Sequence, residues 1–204
     1  MNWLAHIFLS EYNIEFQIGN YLADPLKGRV WQGASPSIQK GMSVHKIIDS
    51  YSDSHKLFKK SKDSLGNKGL LKAVVIDLTY DYLLTKHWQK FSLMDLESFL
   101  NEFYIQANKQ ISKLPNHAKE PLEKMVKYEI LNKYKTLDDL QKAFYRVDKR
   151  LSPRLAKRDK ASLYFRKISL NIDSIEENFL EFFPQLCLEV KRHLDENKLT
   201  HWRI

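Results

Sequence analysis

Between Leu70 and Trp88 the chain carries two aspartates in a run that is otherwise largely apolar. The apolar residues recur at the period of a helix packed against a core: Leu71, Val74, Val75, Leu78, Tyr82, Leu83 and Leu84. Carboxylates are rarely buried unless they are paired or bound to a metal ion. The run therefore predicts a buried helix in which Asp77 and Asp81, one turn apart on the same face, meet a compensating charge.

Most of the chain has the same helical character. It has only six glycines and six prolines, and the alternation typical of strands is scarce. We predict one all-α domain over residues 1–204, a helical bundle whose helices begin at recognisable caps: Ser35 followed by Pro36, Asp95, and a Thr136 capping box. The predicted elements are 2–9, 13–22, one long helix from 37 to about 60, then 70–88, 95–114, 122–134, 137–151 and 163–196, with 116–121 as a connection and a kink at Pro184.

The composition excludes several classes of protein. Hydrophobic residues make up 43% of the chain, which is typical of a globular protein. The single cysteine, Cys187, rules out an internal disulfide and a thiolate metal site, and its apolar surroundings predict a buried thiol. No run of about 18 apolar residues predicts a membrane span, and no secretory signal is evident. We expect a cytoplasmic protein.

Positive charge is concentrated in one segment. Residues 142–167 contain ten basic and two acidic side chains, which is the whole of the net charge of +8. Such a segment attracts an anionic partner and accelerates its association. Nucleic acid, an anionic membrane, an acidic protein or simply a solvated helix face all fit this pattern.

A second His/Asp pattern lies upstream, where His45, Asp49 and Asp53 are spaced by four residues. One helical turn separates neighbours by about 6 Å along the axis, so His45 and Asp49 can share an ion. Asp53 lies about 12 Å from His45, too far for both to bind one ion, and is expected to play a supporting role. A histidine on an apolar helix is also often an ordinary core residue.

Three other residues belong to this prediction. Asp24 precedes Pro25 and is expected at a helix end or in a turn, close enough to serve as a further ligand or a general base. Trp88 returns to nearly the face of Asp77, whereas His87 points away and is expected to contact phosphate or an outer acid. One imidazole with several carboxylates favours Mn²⁺ or Mg²⁺ over a structural zinc site. No serine-nucleophile elbow, phosphate-binding loop or dinucleotide fingerprint is present.

Several blocks in the first 88 residues resemble a known family. The segments 1–6 (MNWLAH), 19–24 (GNYLAD), 45–49 (HKIID) and 77–88, with 182–184 (FFP) near the C-terminus, are similar in order and kind to the signature blocks of bacterial acyl carrier protein phosphodiesterases. The resemblance implies an all-α fold like that of the HD phosphohydrolases, although no adjacent His-Asp pair occurs in this chain.

The resemblance also implies an activity and roles for particular residues. The family removes 4′-phosphopantetheine from holo acyl carrier protein in a Mn²⁺- or Mg²⁺-dependent reaction, in which the ion activates water for attack on phosphorus. The HD superfamily pattern does not give the ligand set, so the spacing of the residues decides it: we expect His45, Asp49, Asp77 and Asp81 to hold the ion or ions, with Asp24 as a further ligand or a general base. Catalytic roles fall to Asp24, His6 and His87, and supporting roles to Asn20, Asp53 and Trp88.

The basic segment then becomes a docking surface for an acidic carrier protein, and no nucleic acid partner is expected. The residues expected to contact the partner are Arg29, Lys46, Arg150, Arg154, Lys157 and Arg158. The alternatives are a related phosphohydrolase acting on nucleotides or small phosphodiesters, a basic helical module that binds nucleic acid, and a carrier-binding protein without turnover.

Overall fold

The computed structural model describes residues 1–203, which form α-helices joined by turns and short 3₁₀ segments. The helices are α1 (Trp3–Phe8), α2 (Ile14–Leu22), α3 (Pro36–Ser54), α4 (Lys56–Asp63), α5 (Lys72–Lys86), α6 (Trp88–Phe91), α7 (Leu96–Gln110), α8 (Asn116–Lys127), α9 (Leu137–Asp148), α10 (Pro153–Ala156) and α11 (Phe165–Lys191). No strand occurs among these residues, apart from an isolated bridge between Ser92 and Trp202. The predicted all-α fold is confirmed. None of the described helices has both the length and the apolar character needed to cross a membrane.

The predicted helix starts are confirmed at the level of individual hydrogen bonds. Ser35 Oγ accepts from the Ile38 N–H at 3.3 Å, with Pro36 in the first helical position. Asp95 caps α7 in the same way, and Thr136 and Asp139 form the reciprocal capping box of α9. These caps satisfy amide groups that have no partner inside the helix.

The predicted helix from 37 to about 60 is wrong in one respect, because it is two helices. His55 takes an extended conformation (φ −75°, ψ 133°) between α3 and α4. Its ring Nδ1 accepts from the Leu57 N–H at 3.3 Å, so the histidine caps α4 instead of continuing α3. Capping by a histidine side chain does not alter the hydrophobic periodicity, so the periodicity predicts one continuous helix here.

A second difference concerns residues 116–134. The segment expected to be a connection is the first half of α8, which begins at Asn116 and continues through Pro121. The proline removes one N–H from the helix, and its carbonyl accepts from the Tyr21 hydroxyl at 3.0 Å. The helix then ends at Lys127, because Glu129 adopts a left-handed conformation (φ 44°) that a helix cannot include.

The core is built around aromatic rings from α1, α5 and α11. Tyr80 packs edge-on to Phe179 with ring centroids 5.1 Å apart, and Phe8 lies 5.9 Å from Phe183. Cys187 is fully buried here, as predicted, and burial raises the pKa of its thiol. This core holds α1 and α5 together, and both helices supply residues to the site described below.

Helices α2 and α3 approach each other through two glycines. A methyl group placed on Gly19 would lie 2.2 Å from the Ile38 carbonyl oxygen, and one on Gly41 would lie 2.2 Å from that of Phe16. Only a residue without a side chain fits at such a contact. The crossing brings the backbone of Asn20 within hydrogen-bonding reach of α3, with consequences for the site.

We expect Gly41→Ala to lower the free energy of unfolding by about 1–3 kcal/mol, because the added methyl group meets backbone atoms that cannot rotate away. Ser43→Ala, an exposed change two residues away on the same helix, is the control and should stay within about 0.5 kcal/mol of the parent. Urea unfolding checks both. Equal midpoints for the two variants would show that the helices can separate without cost.

Candidate functional site

Three candidate metal ligands from two helices meet at one point. His6 lies on α1, and His45 and Asp49 lie one turn apart on α3. Both imidazole Nε2 atoms are 3.1 Å from the Asp49 carboxylate, one from each oxygen, and the two rings are stacked with centroids 3.9 Å apart. One ligand atom from each of the three residues lies within 4.8 Å of the other two.

Asn20 determines which nitrogen of each ring faces Asp49. Its side-chain amide donates to the His6 carbonyl and to Ser10 Oγ, which leaves Oδ1 as an acceptor for His6 Nδ1 at 2.9 Å. Its backbone carbonyl accepts from His45 Nδ1 at 2.8 Å. Both rings therefore carry a proton on Nδ1, and both Nε2 atoms face the Asp49 carboxylate; His6 Nε2 also lies 3.1 Å from the Met1 carbonyl oxygen. Metal-binding histidines are oriented in this way by hydrogen bonds to the other nitrogen.

Ionisation in the cluster agrees with this arrangement. Burial and the neighbouring His45 ring lower the pKa of His6 to about 4, so its imidazole is neutral. Burial alone would raise the pKa of Asp49, but the imidazoles and the nearby N-terminal ammonium group hold it well below its usual range. The pKa shifts thus favour a neutral His6 ring beside an ionised Asp49 carboxylate.

A positive charge already lies against the acidic side of the cluster. The Met1 ammonium nitrogen is 3.3 Å from Asp49 Oδ1 and 3.1 Å from Asp77 Oδ1. Burial disfavours this charge, but the two carboxylates outweigh that effect and raise the pKa of the ammonium to about 10. Asp77 Oδ1 has no well-formed hydrogen bond within residues 1–203, and burial raises the pKa of its carboxyl.

These observations fit a divalent cation. The two Nε2 atoms, the ionised Asp49 carboxylate and the buried Asp77 oxygen are nitrogen and oxygen donors of the kind that bind a divalent ion. The sequence predicts only the His45 imidazole in this set, with a catalytic role for His6. In the sequence, the one sign of this role is that His6 interrupts the apolar segment 2–9. Helical spacing relates residues of the same helix only, so it could not connect His6 to Asp49 on α3.

The cluster opens into a cavity of about 290 Å³. Asp24 and Asp53, both exposed, line this cavity with Asp49 and Asp77, so four predicted acids share it. Asp24 Oδ2 accepts from the Trp3 indole N–H at 3.0 Å, which fixes its carboxylate at the cavity wall. The structure thus places Asp24 and Asp53 near the cluster, although neither belongs to the group of atoms within 4.8 Å.

Asp81 lies elsewhere, although it was predicted as a ligand. Its side chain is fully buried, and its oxygens accept from the Leu4 N–H, the Ala5 N–H and the Asn2 side-chain amide at 2.8–3.1 Å. It therefore caps α1, whose own N-cap residue makes no side-chain cap. Burial raises the pKa of this carboxyl to about 7. The Asp81 carboxyl in the apolar run is thus held by amide groups at the N-terminus of α1.

His87 and Trp88 also lie outside the cavity. His87 Nε2 is 2.5 Å from Glu176 Oε1 on α11, and Lys86 contacts the same carboxylate. The Trp88 indole donates to the Met94 carbonyl at 2.8 Å, and its ring packs against Phe8 in the core. Their predicted catalytic and supporting roles find no geometric basis, because α5 ends at Lys86 and the chain turns there.

The predicted partner-binding cations lie in three places. Arg154, Lys157 and Arg158 are exposed on α10 and just after it, and none of them forms an ion pair in the described part of the chain. Arg29 and Lys46 are exposed near the turn that carries Asp24, where the Lys46 side chain passes close to Gly28.

Arg150 lines a second cavity, of about 300 Å³, together with Arg146 and Lys133. Lys133 and Arg146 are not among the partner-binding residues predicted from the sequence, although Arg146 lies in the basic segment. The two cavities share Asn2, Trp3, Asp24 and Val74 in their walls, so the basic groups lie beside the acidic site.

Comparison with known proteins identifies the family of this chain. The family model for acyl carrier protein phosphodiesterase matches residues 1–186, which include every residue of the cluster. The chain belongs to the acyl carrier protein phosphodiesterase family. The resemblance seen in the sequence is confirmed.

Curated relatives agree along nearly the whole chain. The acyl carrier protein phosphodiesterases of Enterobacter sp. strain 638 and Escherichia coli O6:H1 are each 26% identical to it, over 94% of this chain and 98% of theirs. That of Salmonella agona is 25% identical with the same coverage. No solved structure matches this chain.

We expect Asp81→Ala to lower the free energy of unfolding by about 2–4 kcal/mol, because two buried amides of α1 lose their acceptor. Asp81→Asn keeps one acceptor oxygen and should lose less. Asp173→Ala, the same change at an exposed position of α11, should have little effect. Thermal unfolding ranks the three. Unchanged stability in Asp81→Ala would contradict the capping role.

Proposed function

We propose that this protein is a metal-dependent phosphodiesterase that hydrolyses holo acyl carrier protein, releasing 4′-phosphopantetheine and the apo carrier. The observation that carries the proposal is the family match over residues 1–186, since it spans the His6, His45 and Asp49 cluster and the cavity around it. The named relatives are phosphodiesterases of acyl carrier protein. A cytoplasmic location, which rests on the sequence patterns alone, is part of the proposal.

The residues suited to hold the ion are His6, His45 and Asp49, with Asp77 at the edge of the group. A divalent ion bound there would supply Lewis-acid activation of the phosphoryl group. Two imidazole nitrogens favour a transition-metal ion over Mg²⁺, which prefers oxygen ligands and retains water. We therefore propose Mn²⁺ ahead of Mg²⁺.

Asp24 is the proposed general base. Its Oδ2 is occupied by the Trp3 indole, whereas Oδ1 has no hydrogen bond within residues 1–203 and is available to accept a proton from attacking water. Asp24 lines the wall common to both cavities, which supports this role. Trp3 positions the carboxylate and does not itself exchange a proton.

The exposed cations on and after α10 (Arg154, Lys157 and Arg158) are proposed to attract the carrier, together with Arg29 and Lys46 at the other side of the Asp24 turn. Their charges are not used up by internal ion pairs, which makes them available to an acidic protein surface. The proposal predicts association that weakens as salt concentration rises.

The direct test is to incubate the Mn²⁺-loaded protein with holo acyl carrier protein and to follow both products by mass spectrometry. We expect the carrier to lose the mass of 4′-phosphopantetheine and the free prosthetic group to appear. A panel of nucleotides and cyclic nucleotides is the comparison. Turnover of nucleotides without turnover of the carrier would reject the proposed substrate.

We expect His6→Ala and His45→Ala each to weaken Mn²⁺ binding, because each change removes a nitrogen ligand. Each should also lower kcat/KM at least about 100-fold, which is the effect of removing a group that acts directly in a reaction. The exposed His193→Ala should leave both properties unchanged. Equilibrium dialysis with Mn²⁺ and single-turnover kinetics measure the two effects. Full Mn²⁺ binding by His6→Ala would remove His6 from the ligand set.

We expect Asp24→Asn to lower kcat about 100-fold or more while leaving Mn²⁺ binding intact, because the amide cannot accept the proton. Single-turnover kinetics and equilibrium dialysis with Mn²⁺ measure the two properties separately. Loss of activity that tracks loss of Mn²⁺ would make Asp24 a ligand instead.

A further inference from the structure

The cavity next to the cluster differs from it in chemistry. One wall is apolar and is formed by Val74, Leu78, Ile130, Ala143 and Val147 from α5, α9 and the segment after α8. At about 300 Å³ it is of the size of a small-ligand pocket and far too small for a folded protein. A slender organic chain can occupy it.

Three cations lie at the same cavity without a carboxylate partner. Lys133, Arg146 and Arg150 form no ion pair within residues 1–203. Arg150 Nε donates to the Arg146 carbonyl at 3.2 Å, and its guanidinium group lies 6.0 Å from the centre of the Trp3 ring. These contacts hold Arg150 at the wall shared with the acidic cavity, where an anionic group lying between the two cavities would meet it.

A phosphodiester has two substituents, and the geometry distinguishes them. If phosphorus lies at the His6, His45 and Asp49 cluster, one substituent must reach outward to a bulky protein and the other can enter the neighbouring cavity. The two cavities adjoin along a common wall formed by Asn2, Trp3, Asp24 and Val74, so a substrate held at the cluster lies next to the second cavity. The pantetheine arm, with its methyl groups and amides, suits an apolar wall that has a few polar groups at its edge.

We propose that this second cavity binds the 4′-phosphopantetheine arm of the substrate, with Arg150 at the phosphate end and Val147 and Leu78 along the arm. The inference rests on the proposed function and deepens it, since it assigns recognition of the prosthetic group to residues outside the His/Asp cluster. It makes the enzyme selective for a phosphodiester that carries this arm.

The experiment narrows the cavity without touching the cluster. Val147→Phe places a larger side chain on the apolar wall, and Ile105→Phe places it on the exposed face of α7, where it lines neither cavity. Each Mn²⁺-loaded variant is assayed on holo acyl carrier protein and on bis(p-nitrophenyl) phosphate, a diester without the arm. Direct binding of free 4′-phosphopantetheine is measured by calorimetry, with inorganic phosphate as the comparison.

We expect Val147→Phe to lower kcat/KM for the holo carrier at least about tenfold, mainly through KM, and to change hydrolysis of the aryl diester less than about twofold. Ile105→Phe should match the wild type on both. Free 4′-phosphopantetheine should bind the wild type more tightly than phosphate does, and this advantage should be lost in Val147→Phe.

Should Val147→Phe fail to fold, Tyr128→Ala replaces it: this change removes an exposed ring from the cavity wall instead of narrowing the cavity, and the lost contact with the arm should again raise KM for the carrier alone. Equal losses on both substrates, or none on either, would overturn the inference while leaving the proposed function in place. If the wild type hydrolyses the aryl diester but not the carrier, the proposed function fails. Calorimetry then tests separately whether the cavity binds the arm. Equal affinity for phosphate and 4′-phosphopantetheine would contradict arm binding.

Discussion

The site depends on one residue, Asn20, whose side chain and backbone each hold one imidazole. Its Oδ1 accepts from His6 on α1 and its carbonyl accepts from His45 on α3, so a single position on α2 sets the tautomer of both rings. That position is useful only because Gly19 and Gly41 let α2 and α3 approach to backbone contact. The close approach of the helices at the two glycines thus allows the two hydrogen bonds from Asn20. Those hydrogen bonds in turn orient the two Nε2 atoms toward Asp49.

The distribution of charge around that arrangement explains how the parts work together. The cluster and its cavity are acidic, with Asp24, Asp49, Asp53 and Asp77 facing a space that attracts cations. The adjoining cavity and the surface beyond it are basic and attract anions. The proposed function uses both, since a bound cation would activate the phosphoryl group while basic side chains hold the rest of an anionic substrate. The net charge of +8 is therefore unevenly distributed, with acidic side chains at one cavity and basic side chains at the other.

Local patterns predicted the helices and their caps well, because caps and apolar periodicity are encoded by residues three to five apart. They also predicted that His45 and Asp49 act as a pair. They failed where the partner comes from a distant part of the chain: His6 joins Asp49 across 43 residues, and Asp81 caps α1 across 76 and 77 residues. The same spacing of four that aligned Asp77 with Asp81 could not tell which of them faces the cavity. The prediction for His87 failed similarly, since Glu176 is 89 residues away.

The central claim is that two imidazoles oriented by Asn20 bind one divalent ion together with Asp49. Electron spin echo envelope modulation of the Mn²⁺-loaded protein measures this directly, because it detects nitrogen nuclei bonded to manganese. The account predicts a signal from two histidine nitrogens in the wild type and from one in each of His6→Ala and His45→Ala. A wild-type signal from a single nitrogen, unchanged in His6→Ala, would contradict it.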